Sequence, residues 1–316
     1  MKKRVSLRYK LILIFGALIL MAGTIEALLA IRTARRAVIE KVETHLIDKA
    51  RDIAEIIDGN ILSFFQFLEG IARMPQLRDE SLPYAVKLSI LQKEAAFNAR
   101  IKHLQISNSN GITYTPEGTV NNNHKVWYQT AIKGGKGIAD PFKSAFAQQF
   151  LLIFSVPIYN DAHTVLGTLD AVVEAQNLTD DIKNITVGQT GYCYITNSIG
   201  TVIAHKTYSL VETQSNSQEK AKTDSTLQTL AAFEKQALAT SEPTIGNYEY
   251  TGTYNIAASA KLKHAGWMVV IKAPYNEFMG TVDALRTSLL IIGMVILIVA
   301  FGIVYFVARA IVQPIN

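Results

Sequence analysis

Trp127 and Tyr128 stand side by side in the chain, with Asp140 and Asp170 further along. A small polar ligand asks a concave site for these side-chain types: aromatic walls that exclude water and a few convergent charges that fix orientation. Consecutive residues do not share one face of a helix, so at least one of the two aromatics points away from the main seam of whatever helix carries them. Both aromatics also suit plain core packing, and Asp140, which precedes Pro141, also suits a turn. Other chemistry is weakly signalled. The run Lys133-Gly134-Gly135-Lys136-Gly137 has no Gly-Lys-Ser/Thr opening a helix, so it reads as loop and not as a phosphate cradle. The six histidines lack metal-ligand spacing. Cys193 is the single cysteine and excludes an intrachain disulfide; in the alternating run Tyr192–Thr196 it reads as a small buried hydrophobe. No cofactor and no metal are expected. A binding module, not an enzyme, is the expectation. A membrane-anchored extracytoplasmic hydrolase is the alternative from another class, and it would need an activated nucleophile or a metal cluster.

The elements that position these residues sit between two apolar runs, Leu11–Ile31 and Thr287–Ala308. Each is about the length a helix needs to cross a ~30 Å hydrocarbon core. The N-terminal tail carries Lys2, Lys3, Arg4, Arg8 and Lys10 and no acid. Positive charge beside a first span stays in the cytoplasm, which places both termini inside and residues 32–286 outside the inner membrane. The net charge of +5 owes much to that tail, and no clustered basic face points to nucleic acid. The expected partners are the membrane and a small-molecule ligand.

Between the spans the hydrophobic period changes twice. Leu46, Ala50, Ile53, Ile57, Ile61, Phe64, Leu68 and Ile71 recur at steps of three and four, one face of a long helix close to a coiled-coil seam. Pro75 ends it, and a second helix is expected over about Leu82–Ala99. A period of two follows: Ile101–Ser107, Ile112–Thr115, Phe150–Tyr159 and Val165–Val173 read as strands, with a short helix at Val126–Lys133. The pattern then restarts. Ile106-Ser107-Asn108-Ser109-Asn110-Gly111 is echoed by Ile195-Thr196-Asn197-Ser198-Ile199-Gly200, and each opens a run of antiparallel strands. Such an echo signals two copies of one unit. The expected fold is α+β: a long N-terminal helix and two tandem PAS-like antiparallel-sheet modules, flanked by two transmembrane helices.

In that order the chain resembles the double Cache family of bacterial sensor ectodomains, over roughly Arg32–Met279. The resemblance rests on Val126-Trp127-Tyr128-Gln129-Thr130-Ala131, Ile138-Ala139-Asp140-Pro141-Phe142, Ser155-Val156-Pro157-Ile158-Tyr159, Gly191-Tyr192-Cys193-Tyr194-Ile195 through His205, and Gly266-Trp267-Met268-Val269-Val270. It implies a cytoplasmic tail at 1–10, spans at 11–31 and 287–308, and an ectodomain at 32–286. Within the ectodomain it implies two helices at 32–99, a membrane-distal module at 100–177 and a membrane-proximal module at 178–279. It also implies a ligand in the distal module. Family members that take amino acids hold the carboxylate with an arginine two residues before the tryptophan, with that tryptophan and with the next tyrosine; a later aspartate holds the ammonium. Trp127 and Tyr128 match. Lys125 stands at the arginine position, Val120 replaces an upstream tyrosine, and Asp170 falls about two residues early, which keeps it on the same face of a strand. The ligand-binding residues expected are therefore Lys125, Trp127, Tyr128, Asp140 and Asp170.

The tail Ala308-Arg309-Ala310-Ile311-Val312-Gln313-Pro314-Ile315 resembles the start of a HAMP helix, so residues 309–316 are expected to open that relay. The resemblance implies a homodimer that passes ligand binding to cytoplasmic signalling proteins. It is most like a methyl-accepting chemotaxis receptor; the sensor portion of a histidine kinase or of a diguanylate cyclase is the alternative.

Overall fold

The computed structural model describes residues 7–144 and 149–312, which form two compact units. Most of the basic tail and the end of the HAMP-like segment lie outside the described residues.

The first unit comprises Met1–Thr44 and Tyr275–Asn316. It holds the first part of helix α1 (Leu7–Ala72) and the whole of the last helix (Asn276–Val312). Both are long and apolar enough to cross a membrane. Leu13, Leu20, Leu28, Leu290, Ile298 and Phe306 are all at least half exposed, as expected of side chains whose solvent is lipid. The two helices touch at Gly16, where a Cβ would come within 2.7 Å of the Phe301 ring. Arg35 donates to the Tyr275 hydroxyl at 3.3–3.4 Å.

The second unit, His45–Pro274, begins with the remainder of α1. Pro75 opens the short α2 (Pro75–Arg78), and α3 (Tyr84–Ala95) follows. The strands of the first sheet are β1 (Ile101–Asn108), β2 (Ile112–Thr115), β3 (Gly118–Asn121), β4 (Gly137–Ile138), β5 (Phe142–Lys143), β6 (Phe150–Tyr159) and β7 (Val165–Glu174), with α4 (Val126–Ile132) between β3 and β4. Their order is β3-β2-β1-β7-β6-β4, with β5 also on β6. Helix α5 (Gln176–Ile182) leads to the second sheet, made of β8 (Thr186–Val187), β9 (Gly191–Thr196), β10 (Val202–His205), β11 (Thr244–Tyr250), β12 (Thr253–Lys261) and β13 (Met268–Pro274). Between β10 and β11 lie α6 (Ser209–Glu212), α7 (Ser217–Lys220) and α8 (Gln228–Ala239); the Asn276–Val312 helix is α9. The second order is β10-β9-β13-β12-β11, with β8 also on β9.

Strand for strand, β2-β1-β7-β6-β4 and β10-β9-β13-β12-β11 are the same path, so the sequence echo marks a true repeat. The echoed hexapeptides are the same turn atom for atom. Asn108 Oδ1 accepts from the N–H of Asn110 and of Ile112, both at 3.0 Å. Asn197 Oδ1 accepts from Ile199 at 3.2 Å and from Thr201 at 2.9 Å. Gly111 and Gly200 follow at φ 81° and 84°, a conformation that strains any residue with a Cβ. Two short strands, β3 and β4, occupy stretches whose sequence shows no period-two pattern.

The periodic stripe of α1 packs within its own unit. Leu46, Ala50, Ile53, Ile57, Ile61, Leu68 and Ile71 are buried, as is Phe65. The coiled-coil-like spacing thus serves the chain's own sheets. The Phe64 and Phe65 rings lie 4.5 and 5.3 Å from that of Phe154 on β6. Asp58 reaches the turn between β12 and β13, accepting from the N–H of Lys263 at 2.6 Å and of His264 at 3.1 Å.

Truncating Asp58 strands two backbone donors at a nearly buried position. Leaving such groups unpaired costs ~1–3 kcal/mol. Asp58→Ala is therefore expected to lower the melting temperature of the full chain by several degrees, and Asp58→Asn by less, because it keeps one acceptor. Equal melting of parent and alanine variant would show that this contact does not hold the second sheet to α1.

Candidate ligand-binding site

Alternation along the first sheet sorts its side chains onto two faces. Phe154 belongs to the face against α1. The opposite face takes the other register of each strand: β7 presents Thr168, Asp170 and Val172, opposite Ser107 and Gln105 on β1 and Ser155 on β6. Helix α4 covers this face. Trp127 and Tyr128, 4 % and 1 % exposed, pack with Leu151, Ile153 and Val172. Their rings meet edge to face at 6.4 Å, and the Tyr128 hydroxyl donates to the carbonyl of Asn108 at 2.9 Å.

Asp170 sits at the centre of the sheet with no exposed surface. Three hydroxyls donate to its carboxyl: Ser107 at 2.8 Å, Ser155 at 2.5 Å and Thr168 at 2.8 Å. Gln105 adds a fourth side-chain hydrogen bond. The network runs on, since Ser107 shares a hydrogen bond with Thr113 at 2.8 Å, and Asn122 donates to Thr113 at 2.8 Å. Among the described residues no cation pairs with Asp170. Burial pushes its carboxyl up to about 6, while the hydroxyl donors pull the other way. A buried anion held by neutral donors alone is costly, and an entering ammonium group would relieve that cost.

The structure brings Trp127, Tyr128 and Asp170 to one face of one sheet. Lys125 is the residue just before α4, with its side chain exposed. Asp140 has other company. One of its oxygens accepts from Trp267 Nε1 at 2.7 Å and the other from Asn197 Nδ2 at 2.9 Å. Its carboxylate thus joins the segment after β4 to the second sheet. The hydroxyl cradle of Ser107, Ser155 and Thr168 carried no motif; three small polar residues inside apolar strands were its only trace. The sequence reading also gave no role to Glu234 of α8, 2 % exposed and facing a cavity on the second sheet.

Comparison with known proteins agrees with this architecture. The family model dCache_1, described as a Cache domain, matches residues 30–282. No curated protein sequence matches the chain. Among solved structures, the ligand-binding domain of Pseudomonas fluorescens chemoreceptor CtaA with L-isoleucine is similar at TM-score 0.61 and 15 % identity, covering 79 % of this chain and 99 % of that one. That of Campylobacter jejuni chemoreceptor Tlp3 with L-valine is similar at TM-score 0.58 and 13 % identity, covering 77 % and 97 %. The extracellular domain assigned to a histidine kinase, rpHK1S-Z16, is similar at 0.57 and 13 %, covering 77 % and 98 %. At these identities the likeness is one of fold.

The raised pKa of Asp170 has a stability consequence of definite sign. Between the ordinary value of 3.8 and about 6, the folded chain binds more protons than the unfolded one. The stability contributed at Asp170 is therefore full below about pH 4 and is lost as pH rises through about 6. A rise from 3.8 to about 6 corresponds to ~3 kcal/mol. In melts at pH 4 and pH 7.5 without ligand, Asp170→Asn is expected to gain about that much on the parent at the higher pH. A difference that does not change with pH would show that Asp170 titrates as an ordinary carboxylate.

Proposed function

This chain belongs to the Cache domain family, and on that premise we propose that it is the sensory part of a transmembrane receptor for a small amino-bearing metabolite. The observation that carries the reading is Asp170, a wholly buried carboxylate cradled by hydroxyls and unmatched by any cation among the described residues. It lies on the sheet face beneath Trp127 and Tyr128. In this reading the ligand's ammonium pairs with Asp170, the aromatics of α4 wall the site, and Lys125 meets a carboxylate at its mouth. The valine and isoleucine named for two similar chemoreceptor domains fit a site of that polarity. Val172, two positions further on the same face, supplies apolar surface.

The two apolar helices and the basic N-terminal tail support the topology in this reading, and the likeness to the Cache family supports the rest. Both termini are cytoplasmic and residues 32–286 lie outside. The first sheet, within 100–177, is the membrane-distal module and the second, within 178–279, the membrane-proximal one. The chain acts as a homodimer and passes binding through α9 to a HAMP relay and a chemotaxis output. Binding occurs without turnover, so the ligand is recovered unchanged.

The test is isothermal titration of the full chain in lipid nanodiscs with a panel of α-amino acids. At least one is expected to bind. Removing one partner of a buried charge pair typically costs 2–5 kcal/mol, so Asp170→Asn is expected to weaken binding at least tenfold. Lys125→Ala is expected to weaken amino acids but not the matching decarboxylated amines. Unchanged affinity in both variants overturns the site, and chemical turnover of the ligand overturns the receptor reading.

A further inference from the structure

The second sheet has its own covered face, and there the cover is not closed. An open cavity of about 90 Å³ lies between β9, β10, β11 and helices α7 and α8. Tyr192, Tyr194, Tyr248 and Tyr250 wall it, with His205 and Glu234 among the polar groups. Glu234 projects from α8. Its Oε1 accepts from the Tyr194 hydroxyl at 2.8 Å, and its Oε2 accepts from Ser217 Oγ. Both donors are neutral, and no cation pairs with Glu234 among the described residues. Burial raises its pKa while the two hydroxyls oppose the rise. A carboxylate keeps further lone pairs after two such bonds. Glu234 is thus a buried acid with spare acceptor capacity, turned to a cavity and lacking a counter-ion.

Two cations stand over Tyr192, one of the wall residues. Lys206 Nζ stands 4.0 Å from the Tyr192 ring centroid and Lys272 Nζ 4.7 Å. His205 Nδ1 accepts from the N–H of Thr207 at 2.8 Å, which leaves the ring proton on Nε2 as a donor. Burial holds the His205 pKa down to about 4, so the ring is neutral at physiological pH. Lys220, also on the wall, has its ammonium on Ser215 Oγ at 2.8 Å. Tyr194, bonded to the acid, and Tyr192, beneath the lysines, have ring centroids 6.4 Å apart.

We propose that this cavity is a second ligand site, for a small zwitterion whose ammonium meets Glu234 and whose carboxylate meets His205 and Lys206. Aromatic faces favour an ammonium group as well. The two groups come from different elements, Glu234 from α8 and His205 from β10, so the ligand in this proposal is an ω-amino acid with a three-carbon spacer and not an α-amino acid, whose charges are one carbon apart. The site does not repeat the one on the first sheet. Asp170 pairs with Gln105 on β1; in the second sheet Val270 pairs with Tyr194 at the corresponding register. Here the acid comes from the cover helix.

The probes are 4-aminobutyrate, its isomer 2-aminobutyrate, and the single-charge congeners n-butylammonium and butyrate. Each is titrated calorimetrically into the full chain in nanodiscs carrying Asp170→Asn, which silences the first-sheet site. The expected result is binding of 4-aminobutyrate at least tenfold tighter than the other three. Adding Glu234→Gln should weaken it at least tenfold. Lys206→Ala, at an exposed position that leaves folding intact, should weaken 4-aminobutyrate severalfold while leaving n-butylammonium unaffected. The proposal is overturned by absence of 4-aminobutyrate binding in this background, by equal binding of 2-aminobutyrate, or by full affinity in the Lys206→Ala chain. These outcomes are independent of whether α-amino acids bind at Asp170 in the parent.

Discussion

The second unit is built along one helix, α1, and its apolar stripe. From Leu46 to Ile71 the buried residues of α1 recur every third or fourth position, so they face one way along about seven helical turns. Each such side chain contributes ~1.5–3 kcal/mol when fully buried, and no other element of the unit offers so long a continuous surface. The first sheet meets it through Phe154, clasped by Phe64 and Phe65. The second sheet meets it through polar anchors: Asp58 at the turn before β13, and Lys49, whose ammonium donates to the carbonyl of Thr186 at 2.7 Å. With one face of the first sheet committed to α1, only the other remains for a ligand.

That constraint explains where the buried acids lie. An unpaired carboxylate against α1 would sit among aliphatic side chains with no donors. On the opposite face the register supplies them. Ser155 and Gln105 flank Asp170 across two strands, and Ser107 and Thr168 sit on the same face within reach. The second module answers the same problem with a glutamate on the covering helix, met by a strand tyrosine and by Ser217 of α7. The two modules share strand order and turn geometry yet place charge from opposite sides of the gap. A duplicated scaffold therefore buries two acids in different surroundings.

The elements with strong local signals were legible from sequence. The expected strand at Phe150–Tyr159 matches β6, the expected helix at Val126–Lys133 matches α4 within one residue, and the echoed Asn and Gly positions mark the two matching turns. Local chemistry sets these features, through period and a positive-φ glycine. What was not legible is set by pairing between distant segments. Strands β3 and β4 are held by their neighbours and carry no pattern of their own. Asp58 looks like any solvated helix acid until the turn at Lys263 folds onto it. Asp140 reads as a ligand residue or a turn former because its partners, Asn197 and Trp267, lie far along the chain. Glu234, on an apolar helix, has no signal at all without its two hydroxyl donors.

The Asp140 contact also bears on how the modules communicate. Its carboxylate holds the indole of Trp267, 1 % exposed, and the side-chain amide of Asn197. Asn197 is the residue that fixes the turn between β9 and β10, the two strands that carry Tyr192, Tyr194 and His205 along the second cavity. Trp267 immediately precedes β13, and β13 leads in sequence into α9. The segment holding Asp140 follows β4, which pairs with Ser155 and Phe154 on β6, and Ser155 is one of the donors to Asp170. A short covalent and hydrogen-bonded chain therefore links the charge at Asp170 to the wall of the second cavity and to the strand before the second span. Each link is a directional contact, so the position of Ser155 on β6 and that of the Asp140 joint are tied through β4.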